Sequence, residues 1–280
     1  NRDGTLGTGG CIFCSEGGSG DFAAPRRDTV TRQIEEAKKR LEPKLGGRDV
    51  SYIAYFQSYT NTYAPTAYLE RLFSEAIAHP DVSVLSAATR PDCLPPETVD
   101  LLSRLNREKP VWVELGLQTI HPASAAYLRR GYELPVYDRA VEQLHQIGVQ
   151  VVVHQILGLP GETEEMMVQT ARYIGDSGAN GVKFHLLHVL RGTDLAAEWE
   201  AGRVPVLDLE TYIRVLEACL RVLPREVVIH RLTGDGAKRD LLAPAWSGDK
   251  KRVLNAIHRA FLRDDLEQGS GRCAGAVPCF

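Results

Sequence analysis

No apolar run in this 280-residue chain approaches the ~18 residues that a membrane span requires, and no charged, apolar and small-residue signal segment opens it. The expected location is cytoplasmic, with no membrane partner. A surplus of one charge is missing as well: 33 Lys and Arg against 36 Asp and Glu leave a net charge of -3. Such a chain has no general attraction for nucleic acid, so an RNA partner has to meet a local basic face. The six cysteines lack regular spacing, which argues against a disulfide framework and for a reducing-compartment protein with a metal site. Also missing is a second CxxC or CxxH near the first, which a closed four-ligand zinc site needs. With 44% hydrophobic and 25% charged residues, the length suits one large α/β domain or a domain with an extension.

What the chain does have is Gly9-Gly10-Cys11-Ile12-Phe13-Cys14, a glycine-rich approach to a CxxC with an aromatic residue between the thiols. Two thiolates at this spacing can face one metal centre, and thiolate is the soft ligand that selects zinc or iron-sulfur clusters. A lone CxxC does not say which. A thioredoxin-like dithiol would open a helix just after a strand, whereas Ser15-Glu16-Gly17-Gly18-Ser19-Gly20 reads as loop.

From about residue 51 a strand-like run, a turn and an amphipathic helix recur, with strand starts near Ser51, Ser83, Val111, Gln150 and Gly181. Helical period runs through Tyr68, Leu69, Leu72, Phe73, Ala76 and Ile77, then Val99, Leu102 and Leu105, then Val141, Leu144 and Ile147. An earlier helix fits Asp28 as N-cap with Val30, Ile34, Ala37 and Leu41 on one face. Alternating strands and helices predict a parallel sheet, open or closed toward a barrel. Inward polar residues near strand C-termini favour the barrel. By alternation Glu114, Gly116 and Gln118 share one face while Val113, Leu115 and Leu117 share the other. Val152, His154 and Ile156 share a face, as do Lys183 and His185, which His188 joins only if the strand ends first. After Val206 the rhythm changes, so residues 1–204 read as the core and 205–280 as a C-terminal α/β extension.

The run Asn1-Arg2-Asp3-Gly4-Thr5 followed by the CxxC resembles the cysteine loop of radical S-adenosylmethionine (SAM) enzymes of the YhcC/YtqA-like type. A Cys-Pro pair precedes that run in the family. Because the chain opens on Asn1 rather than Met, the expectation is a clipped segment whose third cluster cysteine lies upstream. The strand ends agree in order. Tyr55 to Tyr63 ends the second strand of the superfamily core, Ala88-Thr89-Arg90-Pro91-Asp92 the third, and Glu114-Leu115-Gly116-Leu117-Gln118-Thr119 the fourth. The last resembles a Glu-x-x-x-Gln-Ser/Thr signature shared with the Elongator catalytic subunit and the oxygen-independent coproporphyrinogen oxidases. Arg130-Gly131-Tyr132 is similar to an Arg-Gly-His element there, and His154 to Glu162 resembles the fifth-strand motif. Lys183 to Thr193 resembles the sixth-strand segment of the YhcC/YtqA-like proteins.

The resemblance implies a partial (βα)6 TIM-like barrel, a 4Fe-4S cluster and SAM as cofactors, and a reductase or flavodoxin-type electron donor. Cys11 and Cys14 would ligate the cluster, and Phe13 would lie on the adenine. Gln57, Tyr59 and Asn61 would meet the methionine end, Glu114 and Gln118 the ribose or methionyl groups, and Arg130 the SAM carboxylate, which guanidinium grips bidentately. Thr89, His154, Gly158 and Leu187 complete the implied cofactor lining, although Gly158, Pro160 and Gly161 also read as plain turn chemistry. His185, Tyr63 and Arg90 are the candidate catalytic groups. By its place after a late strand, His230 to Asp235 reads either as a loop that closes the pocket or as an ordinary charged loop.

Cys93 and Cys219 read as structural, and an auxiliary cluster at Cys273 and Cys279 is not expected. Most basic runs, among them Arg26 with Arg27, read as solvated helix faces. The helix from Lys250 is the exception, with Arg252, Arg259 and Arg263 on overlapping faces suited to phosphate. The resemblance points to tRNA wobble uridine as substrate. The rivals are a radical SAM enzyme for a small metabolite and a non-catalytic zinc-stabilised βα domain.

Overall fold

A computed structural model describes residues 2–15, 17, 23–25, 27–234, 236 and 238–272. Arg26, Asp235, Cys273, Cys279 and most of the loop after Ser15 lie outside these. The chain alternates helix and strand: α1 (Val30–Leu45), β1 (Tyr52–Phe56), α2 (Thr66–Ala78), β2 (Val82–Thr89), α3 (Pro96–Asn106) and β3 (Val111–Gln118). There follow α4 (Pro122–Tyr127), α5 (Leu134–Gln146), β4 (Gln150–Leu157), α6 (Glu164–Asp176) and β5 (Gly181–Leu186). The rest comprises β6 (Val189–Leu190), α7 (Asp194–Glu200), α8 (Leu209–Val222), β7 (Val228–Arg231), β8 (Leu241–Ala243) and α9 (Lys250–Arg263).

Six strands stand in the order β1-β2-β3-β4-β5-β7, while β6 and β8 form a small antiparallel pair. The β1–β2, β2–β3 and β5–β7 pairings are parallel, so the C-terminal ends of neighbours come out on the same edge. That edge is where βα folds carry their chemistry. The backbone divides into two compact units, one of Gly17–Gly116 with Val136–Val152, the other of Asn1–Glu16, Leu117–Pro135 and Val153–Phe280.

In the first unit, α2 buries Leu69, Phe73, Ala76 and Ile77, and Phe73 meets Phe56 of β1 edge-on at 4.9 Å between ring centres. Leu69, Phe73 and Ile77 each contribute about 1.5–3 kcal/mol when fully buried. On α3 the buried face is Thr98, Leu101, Leu102 and Leu105, a step round from the stripe expected through Val99. The N-cap of α1 is Thr29, not Asp28: Thr29 has the extended backbone (φ -61°, ψ 156°) that aims its hydroxyl at the Arg32 amide, 3.2 Å away. A cap depends on backbone shape as well as residue type, and both residues suit the role by type. Only Val30 of the expected α1 stripe is buried, and Leu41 is exposed. Polar ties hold this helix instead, with Lys38 reaching Asp81 and Glu35 reaching His79.

In the second unit, α6 lies on α8. Side chains cap both helices: Thr163 accepts from the Met166 amide and Asp208 from the Thr211 amide. Among the described residues no helix is long and apolar enough to cross a membrane.

Candidate active site

The cysteine pair is folded into a hydrogen-bonded turn. The Cys14 amide donates to the Cys11 carbonyl at 3.1 Å, which brings the two α carbons within ~7 Å of one another. Neither cysteine is in a disulfide, and both are half-buried. The turn is anchored through Ile12, whose amide donates to Leu128 O (3.4 Å) and whose carbonyl accepts from Leu195 N (3.0 Å). Its side chain is buried among Leu128, Ile156, Leu159, Leu187 and Leu195, with Phe13 against the same cluster. An apolar residue between the thiols thus fixes the loop beside the C-terminal ends of β4 and β5.

The two glycines before Cys11 are a matter of space. A Cβ on Gly9 would stand 2.9 Å from Arg129 Nη1, and one on Gly10 would stand 2.6 Å from Arg2 Nε. Gly10 also has φ +69°, which a side chain rarely tolerates. Guanidinium groups therefore flank the turn, Arg2 donating to Ser15 O and Arg129 paired with Asp194. Such positive charge offsets the negative charge of thiolates gathered on one metal centre. Arg2 belongs to the run that marks the cysteine loop and Arg129 to the basic runs read as solvated, but their place beside the cysteines was not foreseen, although the glycine pair hinted at a close neighbour.

The β3 end belongs partly to each unit. Glu114 is buried, as alternation predicts, and accepts from Ser86 Oγ at 2.7 Å. Ser86 was not foreseen; the signal was a polar residue in the middle of β2, between Leu85 and Ala87. Gln118 ends the strand with φ +69°, a left-handed backbone that costs a side-chain-bearing residue roughly 1–2 kcal/mol. Ser58 and Tyr59, after β1, share this conformation with φ of 90° and 56°. Strain of this kind concentrates at functional sites.

Arg130 departs from the expectation of a carboxylate grip. Its guanidinium is buried and donates to Leu117 O (3.2 Å), Thr119 O (2.6 Å) and, through Nε and Nη2, Tyr132 O (3.1 and 3.0 Å). It also stands over the Tyr132 ring at 4.4 Å. Both faces of the fork are engaged on main chain, so Arg130 clamps the turn around Gln118. Asn61 does the same after β1, its amide donating to Phe56, Ser58 and Ala88 carbonyls at 3.0, 3.3 and 2.9 Å. Thr89 and Thr62 hydroxyls bond one another at 2.5 Å. Arg90 makes a forked pair with Asp92 (3.0 and 2.8 Å). Tyr63 is exposed on an open cavity of about 690 Å³ lined also by Thr62, Cys93, Leu94 and Arg139. Gln57, next to the β1 end, is half-buried.

At β4 and β5 the inward histidines meet: His154 and His185 rings are 4.9 Å apart and tilted by 33°. Because β5 stops at Leu186, His188 comes round to join His185, and Gly234 packs against both rings. The His185 Nε2 is shielded from solvent with no hydrogen-bond partner among the described residues. Burial first, then electrostatic repulsion from its neighbours His154, Arg231, Lys183 and His188, pushes the His185 pKa well below its ordinary 6.5. It is a neutral imidazole at physiological pH. Below pH 6.5 the unfolded chain takes up a proton that the folded ring refuses, so stability is complete above that pH and falls as the solution is acidified. Urea melts should show this acid loss with a limiting slope of about 1.4 kcal/mol per pH unit, and a shallower loss in His185→Gln. An unchanged slope would contradict the assignment.

Gly158, after β4, has φ +88° and receives the Leu207 side chain where a Cβ would stand, 3.1 Å away. Leu187 is buried beside Ile12. Cys219 is fully buried with its thiol pKa raised by desolvation, and burial lifts that of Cys93 to about 11, as inert structural thiols require.

Residues 6–174 match the Radical SAM superfamily, and residues 179–263 match the Radical SAM C-terminal domain. The chain is 43% identical over 269 residues to protein YtqA of Bacillus subtilis, covering 96% of this chain and 83% of that one. It is 35% identical over 271 residues to protein YhcC of Escherichia coli, covering 96% and 85%. It is 27% identical over 154 residues to a tRNA uridine(34) acetyltransferase of Methanocaldococcus jannaschii, covering 54% of this chain and 28% of that protein. Among solved structures, the archaeal Elp3 of Methanocaldococcus infernus superposes with a TM-score of 0.72 at 19% identity, covering 85% of this chain and 60% of that chain. That likeness bears out the partial barrel, and the family match removes the non-catalytic zinc reading. The chain belongs to the radical SAM superfamily as a member of its YhcC-like family, and it is an enzyme whose cofactors are a 4Fe-4S cluster and S-adenosylmethionine.

Proposed function

We propose that this radical SAM enzyme acts on transfer RNA, remodelling the side chain of the wobble uridine. The similarity to the tRNA uridine(34) acetyltransferase, which spans about half the chain, carries this reading. The donor set of the cysteine turn fits the cluster, since a four-iron centre that leaves one iron open for SAM takes three thiolates and Cys11 and Cys14 are two soft donors in one turn. Cluster and SAM, when bound, supply a 5'-deoxyadenosyl radical that abstracts hydrogen.

The side chains then do the rest. Phe13 offers its ring to adenine, with the turn at Gly158 as part of the same lining. Gln57 and Tyr59 bind the methionine end, on a loop that Asn61 and the Thr62–Thr89 pair hold in place. Glu114, oriented by Ser86, and Gln118, set by the Arg130 clamp, take ribose or methionyl groups. His154 and Leu187 complete the cofactor lining, and His185 faces the substrate, where, being neutral, it accepts or donates one hydrogen bond without adding charge. Tyr63 and Arg90 are the further catalytic candidates, with Arg90 held by Asp92. A reductase or flavodoxin-type protein supplies the electron.

The test is anaerobic reconstitution of the full-length enzyme with iron and sulfide, followed by 5'-deoxyadenosine measurement with and without bulk tRNA from cells lacking the protein. Turnover should depend on tRNA, and nucleoside mass analysis should show a changed wobble uridine. Turnover indifferent to tRNA but raised by a small metabolite would replace this substrate with the metabolite.

A further inference from the structure

The C-terminal helix α9 carries charge that its surroundings leave unanswered. Val253, Ile257 and Ala260 bury one face, and the opposite face turns Lys251, Arg252, Asn255, His258 and Arg259 around a groove of about 480 Å³. Asp249 stands at its end, where its carboxylate caps α9 by accepting from the Arg252 amide at 3.1 Å. Other arginines of this region are matched: Arg263 with Asp264 (2.6 Å), Arg225 with Glu267 (2.9 Å), Arg214 with Glu164 (3.0 Å) and Arg272 with Asp176 (2.6 Å). Arg263 is thereby withdrawn from the phosphate-binding set expected from sequence. Lys251, Arg252 and Arg259 form no ion pair with any described residue.

We propose that this face of α9 docks the phosphate backbone of the RNA substrate, an inference that rests on the tRNA reading above. From Lys251 to Arg259 the helix rises about 12 Å, a length along which a nucleic acid duplex presents several phosphates. Three cations, a histidine and an amide on one side of a rigid helix make a local basic face in a chain whose net charge of -3 provides no general one. A lipid surface fits less well. A helix lying in a membrane interface buries its apolar face in lipid, and the apolar face of α9 is already in the protein core.

The experiment uses the reconstituted full-length enzyme and a Lys251→Glu, Arg252→Glu, Arg259→Glu variant, with bulk tRNA binding followed by fluorescence anisotropy across a salt series. The variant should lose roughly 0.7–0.9 in the slope of log K against log salt for each contact, about 2–3 in all, and its affinity should fall on the order of a hundredfold. Cleavage of SAM without tRNA should stay at the wild-type level. Should the charge reversals fail to fold, Arg252→Gln and Arg259→Gln singly should each lower the slope by about 1. Arg225→Glu, which breaks a matched pair, should leave it unchanged. Equal slopes in wild type and variant would overturn the docking surface and leave the tRNA reading standing. No tRNA binding by wild type would overturn both, and loss of binding to anionic vesicles with tRNA binding intact would assign the face to lipid.

Discussion

A Cys14→Ala enzyme, purified and reconstituted without oxygen, is expected to be colourless, free of iron and sulfide, and unable to form 5'-deoxyadenosine. The fall is on the order of 10³-fold or more, because the cofactor that carries the hard chemistry has lost its seat. The turn is held by groups other than that thiol. The turn is closed by the Cys14 amide on the Cys11 carbonyl, and its anchor is the buried Ile12 side chain. Thermal unfolding of the variant, compared without cluster, should therefore match wild type. Ile12→Ala separates anchoring from ligation. It opens a cavity among Leu128, Ile156, Leu187 and Leu195, costs about 2–5 kcal/mol, and should weaken cluster retention with both thiols present. Cys14→Ala that keeps its iron and its turnover would remove this residue from the ligand set.

Much of the architecture was legible because helix and strand periods differ so clearly along β1 to β5, and because inward polar residues at strand ends favour a barrel. The faces were right where the backbone stayed extended. Glu114 is buried with its partner on β2, and His154 meets His185. What the reading did not supply is where a side chain serves the main chain. An arginine after a strand looks like an anion binder, and an asparagine in a loop looks like a ligand contact. Carbonyls left over at strand ends are invisible in sequence, so Arg130 and Asn61 could not be recognised as the groups that satisfy them. The left-handed turn at Gln118 is hidden for the same reason, since nothing in the residue announces it. His188 was conditional on the end of β5, a boundary that periodicity locates only to within a residue or two.

Arg130→Ala tests whether the clamp or a carboxylate grip is the role of that guanidinium. Removing it strips four hydrogen bonds from three carbonyls, of which those of Leu117 and Thr119 bracket Gln118. A charged donor withdrawn from buried acceptors costs about 3–5 kcal/mol, and in a chain of this size each kcal/mol lowers Tm by roughly 2–4 °C. The loss should show in the apoprotein, where no SAM is present to be gripped. Arg130→Lys keeps the charge but not the fork, and one ammonium cannot span Leu117, Thr119 and Tyr132 together, so it should recover less than half of the stability. In the loaded enzyme both kcat and KM for SAM should worsen, because Gln118 loses its left-handed setting along with the clamp. The opposite pattern, a wild-type Tm with only KM for SAM raised, would return Arg130 to the cofactor carboxylate and strike out the clamp.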